Sequence, residues 1–194
     1  MTTLRTKVIF NMILLGNLVL TAAQPAAANQ RIDTDFPPSY RLRETTLALS
    51  GVGVLKYMGF ISIYNGALYL PADVRAEQAL DDIPKRLEVK YLRSFKAKDF
   101  GPATIAGMKK NVNPEMYRQL ESRIDYHNVL YEDIAPGDRV SLTYIPSMGT
   151  LLEINDIPKG TILGADFAEA LFSMWLGEKP FDDRFKKALL GQNE

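Results

Sequence analysis

Residues Thr46 to Pro71 read TLALSGVGVLKYMGFISIYNGALYLP. The stretch predicts two β-strands in succession, built on small residues where a core strand would normally carry large ones. By the period-2 rule, Leu47, Leu49, Gly51, Gly53 and Leu55 share one face of the first strand. On the second, Phe60, Ser62, Tyr64, Gly66 and Leu68 share one face, and Ile61, Ile63, Asn65, Ala67 and Tyr69 the other. Glycine inside a strand weakens it, and often marks a bulge or the close approach of another group. Two readings of these residues stand side by side: a bent wall around a ligand, or an ordinary strongly curved sheet.

Upstream, residues 1–28 read as an export signal. Arg5 and Lys7 form a basic start, Val8 to Ala23 supplies an apolar run, and Ala26-Ala27-Ala28 offers the small residues that a signal peptidase needs. The run is too short and too interrupted by Asn11, Gly16 and Asn17 for a comfortable membrane span. The expectation is a mature chain that begins near Asn29, lacks stable membrane insertion, and is periplasmic or secreted. The sequence has no cysteine, which removes disulfides, thiolate catalysis and the common structural zinc sites. An exported chain of this kind must be held by its core, and 194 residues less the signal suffice for one sizeable domain. The 23 basic residues match the 23 acidic ones, and removing Arg5 and Lys7 tips the balance slightly negative. That gives no electrostatic case for nucleic acid, and no block of like charge suggests adsorption to a membrane. A small molecule or a protein is the expected partner.

Downstream, the pattern alternates between periods. Residues 29–43 form a polar lead-in, extended at Pro37-Pro38. A short polar helix is predicted over about Ala72 to Asp82, and a strand over Leu87 to Leu92. Two helices follow. One covers about Gly101 to Asn111; the other starts at Asn113-Pro114, with Met116, Leu120, Ile124, His127 and Tyr131 as its core stripe. Strands return at Arg139–Ile145, Thr150–Ile154 and Ile157–Leu163. Asp166-Phe-Ala-Glu169 then looks like a capping box opening a helix with Phe167, Leu171 and Trp175 four apart. A last helix carries Phe181, Phe185 and Leu189, with Gly191 past its end. This order predicts one α+β domain with a mainly antiparallel sheet.

Few motifs carry chemistry. Gly51-Val-Gly53 lacks the third glycine and the following helix of a dinucleotide loop, so a bulge or close crossing explains it better. His127, the only histidine, sits on an apolar helix stripe, and is expected to be a hydrogen-bonded core residue. No metal-ligand spacing or hydrolase elbow is present, so no cofactor and no metal are expected. Three residues remain as ligand-facing candidates. Tyr64 is a phenol able to donate one hydrogen bond, and Lys56 and Arg93 are cations at or beyond strand ends.

Taken together, GVGVLKYMGFISIYNGALYL, Gly137-Asp138, Tyr144 to Thr150, Gly160 to Phe167, Trp175-Leu-Gly177 and Leu189-Leu-Gly191 resemble the chalcone isomerase fold, in its bacterial chalcone isomerase-like branch, over about residues 44–191. The resemblance implies an open-faced β-sandwich: an antiparallel sheet packed against a helical layer, with a ligand cleft between. In the plant isomerases, that cleft closes a flavanone ring with an arginine after the Gly-x-Gly strand and a threonine on the next strand. A tyrosine, a lysine and an asparagine on the following helix complete the site. Here Leu55 stands at the arginine position and Tyr64 at the threonine position, and Asp99 to Met108 holds none of the three helix residues. A leucine cannot steer a phenolate as a guanidinium fork does. Non-catalytic relatives of this fold bind fatty acids through an arginine and a tyrosine. Tyr64 matches the tyrosine, and Lys56 or Arg93 would have to supply the charge.

The leading expectation is therefore an exported, non-catalytic binder of a small apolar carboxylate or aromatic ligand, anionic or carbonyl at its head. The alternatives are an isomerase or lyase on another conjugated substrate, with Tyr64 as general acid, and an interaction module without ligand.

Overall fold

Seven strands follow one another across a single antiparallel sheet, each paired with its neighbour in sequence. They are β1 (Ser39–Leu42), β2 (Thr45–Tyr57), β3 (Ile61–Leu70), β4 (Lys85–Tyr91), β5 (Arg139–Ile145), β6 (Gly149–Ile154) and β7 (Ile157–Ile162). Helices α1 (Ala97–Asn111) and α2 (Pro114–Val129) are inserted between β4 and β5, and α3 (Ala165–Leu176) and α4 (Asp183–Leu189) follow β7. These positions come from a computed structural model that describes residues 35–192. The signal expected at residues 1–28 and the start of the lead-in lie outside that range. The rest of the lead-in adds β1 to the sheet edge through pairs such as Tyr40↔Leu47.

The helices cover one face of the curled sheet, giving the α+β domain that the pattern predicted with the open face that the resemblance implied. α3 lies innermost. Its residues from Phe167 to Leu176 are buried except Glu169, because the sheet packs on one side and α1 on the other. Asn113 caps α2 by accepting the Met116 amide at 2.8 Å, as its position before Pro114 predicted.

Simple alternation fails at two places in β2 and β3. Leu49 pairs with Tyr69 but Gly51 pairs with Leu68, so Ser50 is an extra residue that turns the strand over. Leu47 and Leu49 consequently pack with Ala67, Tyr69, Phe36 and Tyr40 on the open face, while Gly51, Gly53 and Leu55 face the helices. The expected common face of these five residues is thus split. A second shift follows, from Leu55↔Tyr64 to Lys56↔Ser62, and leaves Ile63 extra. Ile61 and Ile63 therefore join the helix-side core with Tyr64 instead of lying opposite it.

The glycines of this stretch seat α4. A Cβ on Gly51 would stand 2.0 Å from the Ala188 carbonyl oxygen, and one on Gly66 would stand 2.6 Å from the Phe185 ring. The small residues are a notch for a helix: the close approach expected at Gly51-Val-Gly53 is made by α4.

Two other expectations are not met, one for a local reason and one for a tertiary one. The polar helix over 72–82 shrinks to a single 3-10 turn, Ala76–Gln78. A short helix ending on Asp81-Asp82 would place carboxylates against its negative C-terminal pole. At α3 the N-cap is Gly164, with φ 106°, and Asp166 is inside the helix. Its carboxylate is drawn instead into a two-pronged pair with Arg123 at 2.7 and 2.6 Å, a stronger interaction than a cap to an amide.

Candidate functional site

Between the sheet and the helices lies a cavity of about 90 Å³, partly open to the surface. Leu55, Ile63, Tyr64 and Tyr91 form its sheet side. Phe95, Asp99, Phe100, Ala103 and Thr104 form a second wall from α1 and the loop before it, and Tyr131, Met174, Trp175 and Phe181 close the remainder. Packing of rings against rings shapes the space. Phe100 stacks on Tyr131 with centroids 4.2 Å apart and planes 8° apart, and Tyr91 meets Tyr64 edge-on at 5.3 Å.

Tyr64 is 6 % exposed, and its hydroxyl oxygen accepts the Trp175 indole N–H at 2.7 Å. That bond joins β3 to α3 across 111 positions of sequence. The phenol's own proton has no acceptor among the described residues. Burial pushes the Tyr64 pKa up, with the Trp175 bond opposing it and the charge of Asp182 adding to the rise. Burial likewise raises Tyr91 and Tyr131, so all three phenols are neutral hydrogen-bond donors at any physiological pH. Among the described lining residues Asp99 is the one ionisable carboxyl, and it already accepts the Lys96 amide at 2.9 Å.

Among the described residues, no lysine or arginine lines the cavity. Alternation past Leu55 puts Lys56 on the opposite face of the sheet, beside Ser62, and the exposed Arg93 turns its Nε to the Ser62 carbonyl at 3.4 Å. The fold thus places Lys56 and Arg93 on either side of Ser62, and neither lines the cavity with Tyr64. Tyr91, Phe95 and Thr104 line the cavity and were not singled out from sequence, whereas Tyr131, expected at the end of the core stripe of α2, lines it too. Only the alternation of Leu87, Val89 and Tyr91 hinted that the last of these three faces inward.

A family description of chalcone isomerase-like proteins matches residues 28–191. The chain belongs to the chalcone isomerase-like family. Among solved structures, this chalcone isomerase-like chain is similar to the crystal structure of a fatty-acid binding protein of Arabidopsis thaliana. The identity is 16 %, the TM-score is 0.60, and the match covers 80 % of this chain and 90 % of that one. At that identity the likeness is one of fold. No match was found among curated proteins. Leu55 and Tyr64 both stand on the cavity wall.

His127 backs this chalcone isomerase-like cavity without lining it. It is fully buried, with Nδ1 3.3 Å from the Asn128 side-chain oxygen and Nε2 3.5 Å from the Tyr131 hydroxyl. Burial pulls its pKa down from 6.5 to about 4, against a small upward effect of Asn128. The unfolded chain therefore binds a proton between these values that the folded chain refuses, so stability is complete above 6.5 and falls as pH drops toward 4. The expected contribution is a loss of about 2 kcal/mol at about pH 5 relative to neutral pH. Urea unfolding at both pH values checks it. His127→Gln should flatten this part of the dependence, and an equal slope in both proteins would refute the assignment.

Proposed function

We propose that this chalcone isomerase-like protein is an exported, non-catalytic binder of a small, mostly apolar molecule whose polar end is an uncharged acceptor such as a carbonyl. One observation carries the reading: a buried phenol with an uncommitted proton, on the wall of an aromatic cavity that no cation lines. A carboxylate there would lose its hydration, gain no counter-charge and meet Asp99, whereas a carbonyl asks only for a hydrogen bond. The likeness in fold to a fatty-acid binding protein supports the apolar part of the ligand. The cavity's 90 Å³ is less than the ~150 Å³ that encloses benzene elsewhere, so the head and first carbons enter and the remainder lies along the opening. Catalysis through Tyr64 is disfavoured, since a general acid works best with a pKa near the working pH and burial drives this phenol far above it.

Native mass spectrometry of protein recovered from the periplasm reads both parts of the proposal. The expected mass begins near Asn29 and carries a co-purified apolar compound. With purified protein, 2-undecanone at a hundredfold excess over its dissociation constant should add about 2.7 kcal/mol and raise Tm by roughly 5–10 °C, with laurate giving less. Tyr64→Phe should weaken the ketone by about three- to tenfold through one lost hydrogen bond. The proposal fails if no ligand co-purifies and neither compound moves Tm. Its assignment of the head group fails if laurate binds more tightly or Tyr64→Phe binds equally well.

A further inference from the structure

The turn between β2 and β3 projects two large apolar side chains into water. Met58 is 69 % exposed and Phe60 is 70 % exposed, whereas Tyr57 and Ile61, just inside, are half-buried against the core. The connection is three residues long: Met58 at φ 53° and Gly59 at φ 80° are the left-handed centre of a turn that the Phe60 amide closes on the Tyr57 carbonyl at 3.3 Å, and Ile61 resumes the pairing with Tyr57. Leu92, 36 % exposed, is on the adjoining loop, where its amide donates to the Ile63 carbonyl at 2.9 Å. Met58, Phe60 and Leu92 thus put three large apolar side chains at this end of the sheet.

Charge specifies which. Lys56 pairs in register with Ser62, and Arg93 bonds the carbonyl of that same residue, so two cations flank the apolar tip. Neither forms an ion pair among the described residues. The acids on the neighbouring loop are engaged locally: Asp133 binds Lys96 and the Ala97 amide, and Asp99 binds the Lys96 amide. An apolar wedge with a cationic collar matches the boundary between acyl chains and anionic headgroups. The wedge also adjoins the cavity: Leu55 and Ile63 line it, and they lie within about 10 Å of the tip along strands that rise roughly 3.3 Å per residue.

We infer that the β2–β3 hairpin tip docks on an anionic lipid bilayer, with Met58 and Phe60 inserted and Lys56 and Arg93 on the headgroups, and so brings the cavity to the surface from which an apolar ligand is drawn. The loading role rests on the ligand-binding reading above; the docking itself does not.

Flotation with vesicles of phosphatidylcholine, with and without phosphatidylglycerol, tests it. The full protein should float with the anionic vesicles, less with neutral ones, and less as salt rises. Met58→Ser with Phe60→Ser should reduce partitioning about tenfold or more, since each side chain loses the transfer of a large apolar group. Lys56→Gln and Arg93→Gln should each cost about fivefold on anionic vesicles only. The ketone-induced Tm shift, measured without vesicles, should be unchanged in the Met58/Phe60 variant, which shows that the variant is folded. A wild-type protein that stays unbound on anionic vesicles, or a tip variant that floats as well as wild type, overturns the docking whatever the ligand result. Docking without any Tm shift leaves this inference standing and removes the loading role with the proposed function.

Discussion

Gly51→Ala is expected to destabilise the protein by about 3 kcal/mol or more, a large share of the total for a domain of this size. The added methyl would meet the Ala188 carbonyl oxygen at 2.0 Å and the Leu189 oxygen and Gly191 nitrogen at 2.8 Å. These are backbone atoms of α4 and its C-terminal turn, so no rotamer change relieves the clash, and the helix must move off the sheet. Moving it withdraws Phe185 from the notch over Gly53 and Gly66 and from its edge contact with Tyr64 at 5.6 Å. Urea unfolding supplies the stability, with Ser50→Ala in the neighbouring bulge as the comparison. A cost below about 1 kcal/mol would mean that α4 does not sit on Gly51.

Arg86→Met should cost about 3 kcal/mol, for an electrostatic reason. Arg86 is 2 % exposed on the open face of the sheet. Its Nη1 donates to Thr143 and to Glu153, each at 2.7 Å, its Nη2 reaches Glu88 at 3.2 Å, and its guanidinium lies 4.1 Å from the centre of the Tyr40 ring. Methionine fills the volume but leaves Glu153 and Glu88 short of a counter-charge in a half-buried setting. Arg139, 2.6 Å from the other oxygen of Glu88, compensates only in part. Adding Glu153→Gln to Arg86→Met should restore part of the loss, whereas two independent sites would give additive costs. Additivity, or a single-variant cost near zero, would show that the cluster is ornamental to the fold.

Much of the architecture was legible because local periodicity dictates it. Asn113-Pro114 marked a helix start through capping and ring geometry that need no tertiary partner. The alternation in Val140, Leu142 and Tyr144 marked β5, whose residues bury on the helix side as that period requires. Where long-range contacts compete with local preference, the reading broke down. Asp166 left its expected cap for Arg123, 43 residues away, and the extra residues at Ser50 and Ile63 reversed faces that alternation had fixed. A bulge shifts only one position and leaves the period on either side intact: glycine hinted at the one beside Gly51, while nothing in the pattern marked Ile63.

The candidate site divides along the same line. Sequence alone determined that Tyr64 is a phenol on an apolar strand, that position 55 is a leucine, and that no cysteine or second histidine exists for other chemistry. It also determined the strand and helix order that makes this chain an α+β sheet-and-helix domain. Only the tertiary structure decided that Trp175 occupies the acceptor side of Tyr64 and leaves its proton free, that Tyr91 and Tyr131 join it, and that Lys56 and Arg93 gather around an apolar hairpin tip instead of the cavity. Side-chain chemistry belongs to each residue and can be read one letter at a time. Which groups meet depends on bulges, register and helix seating, and these are settled by packing between segments up to 111 positions apart.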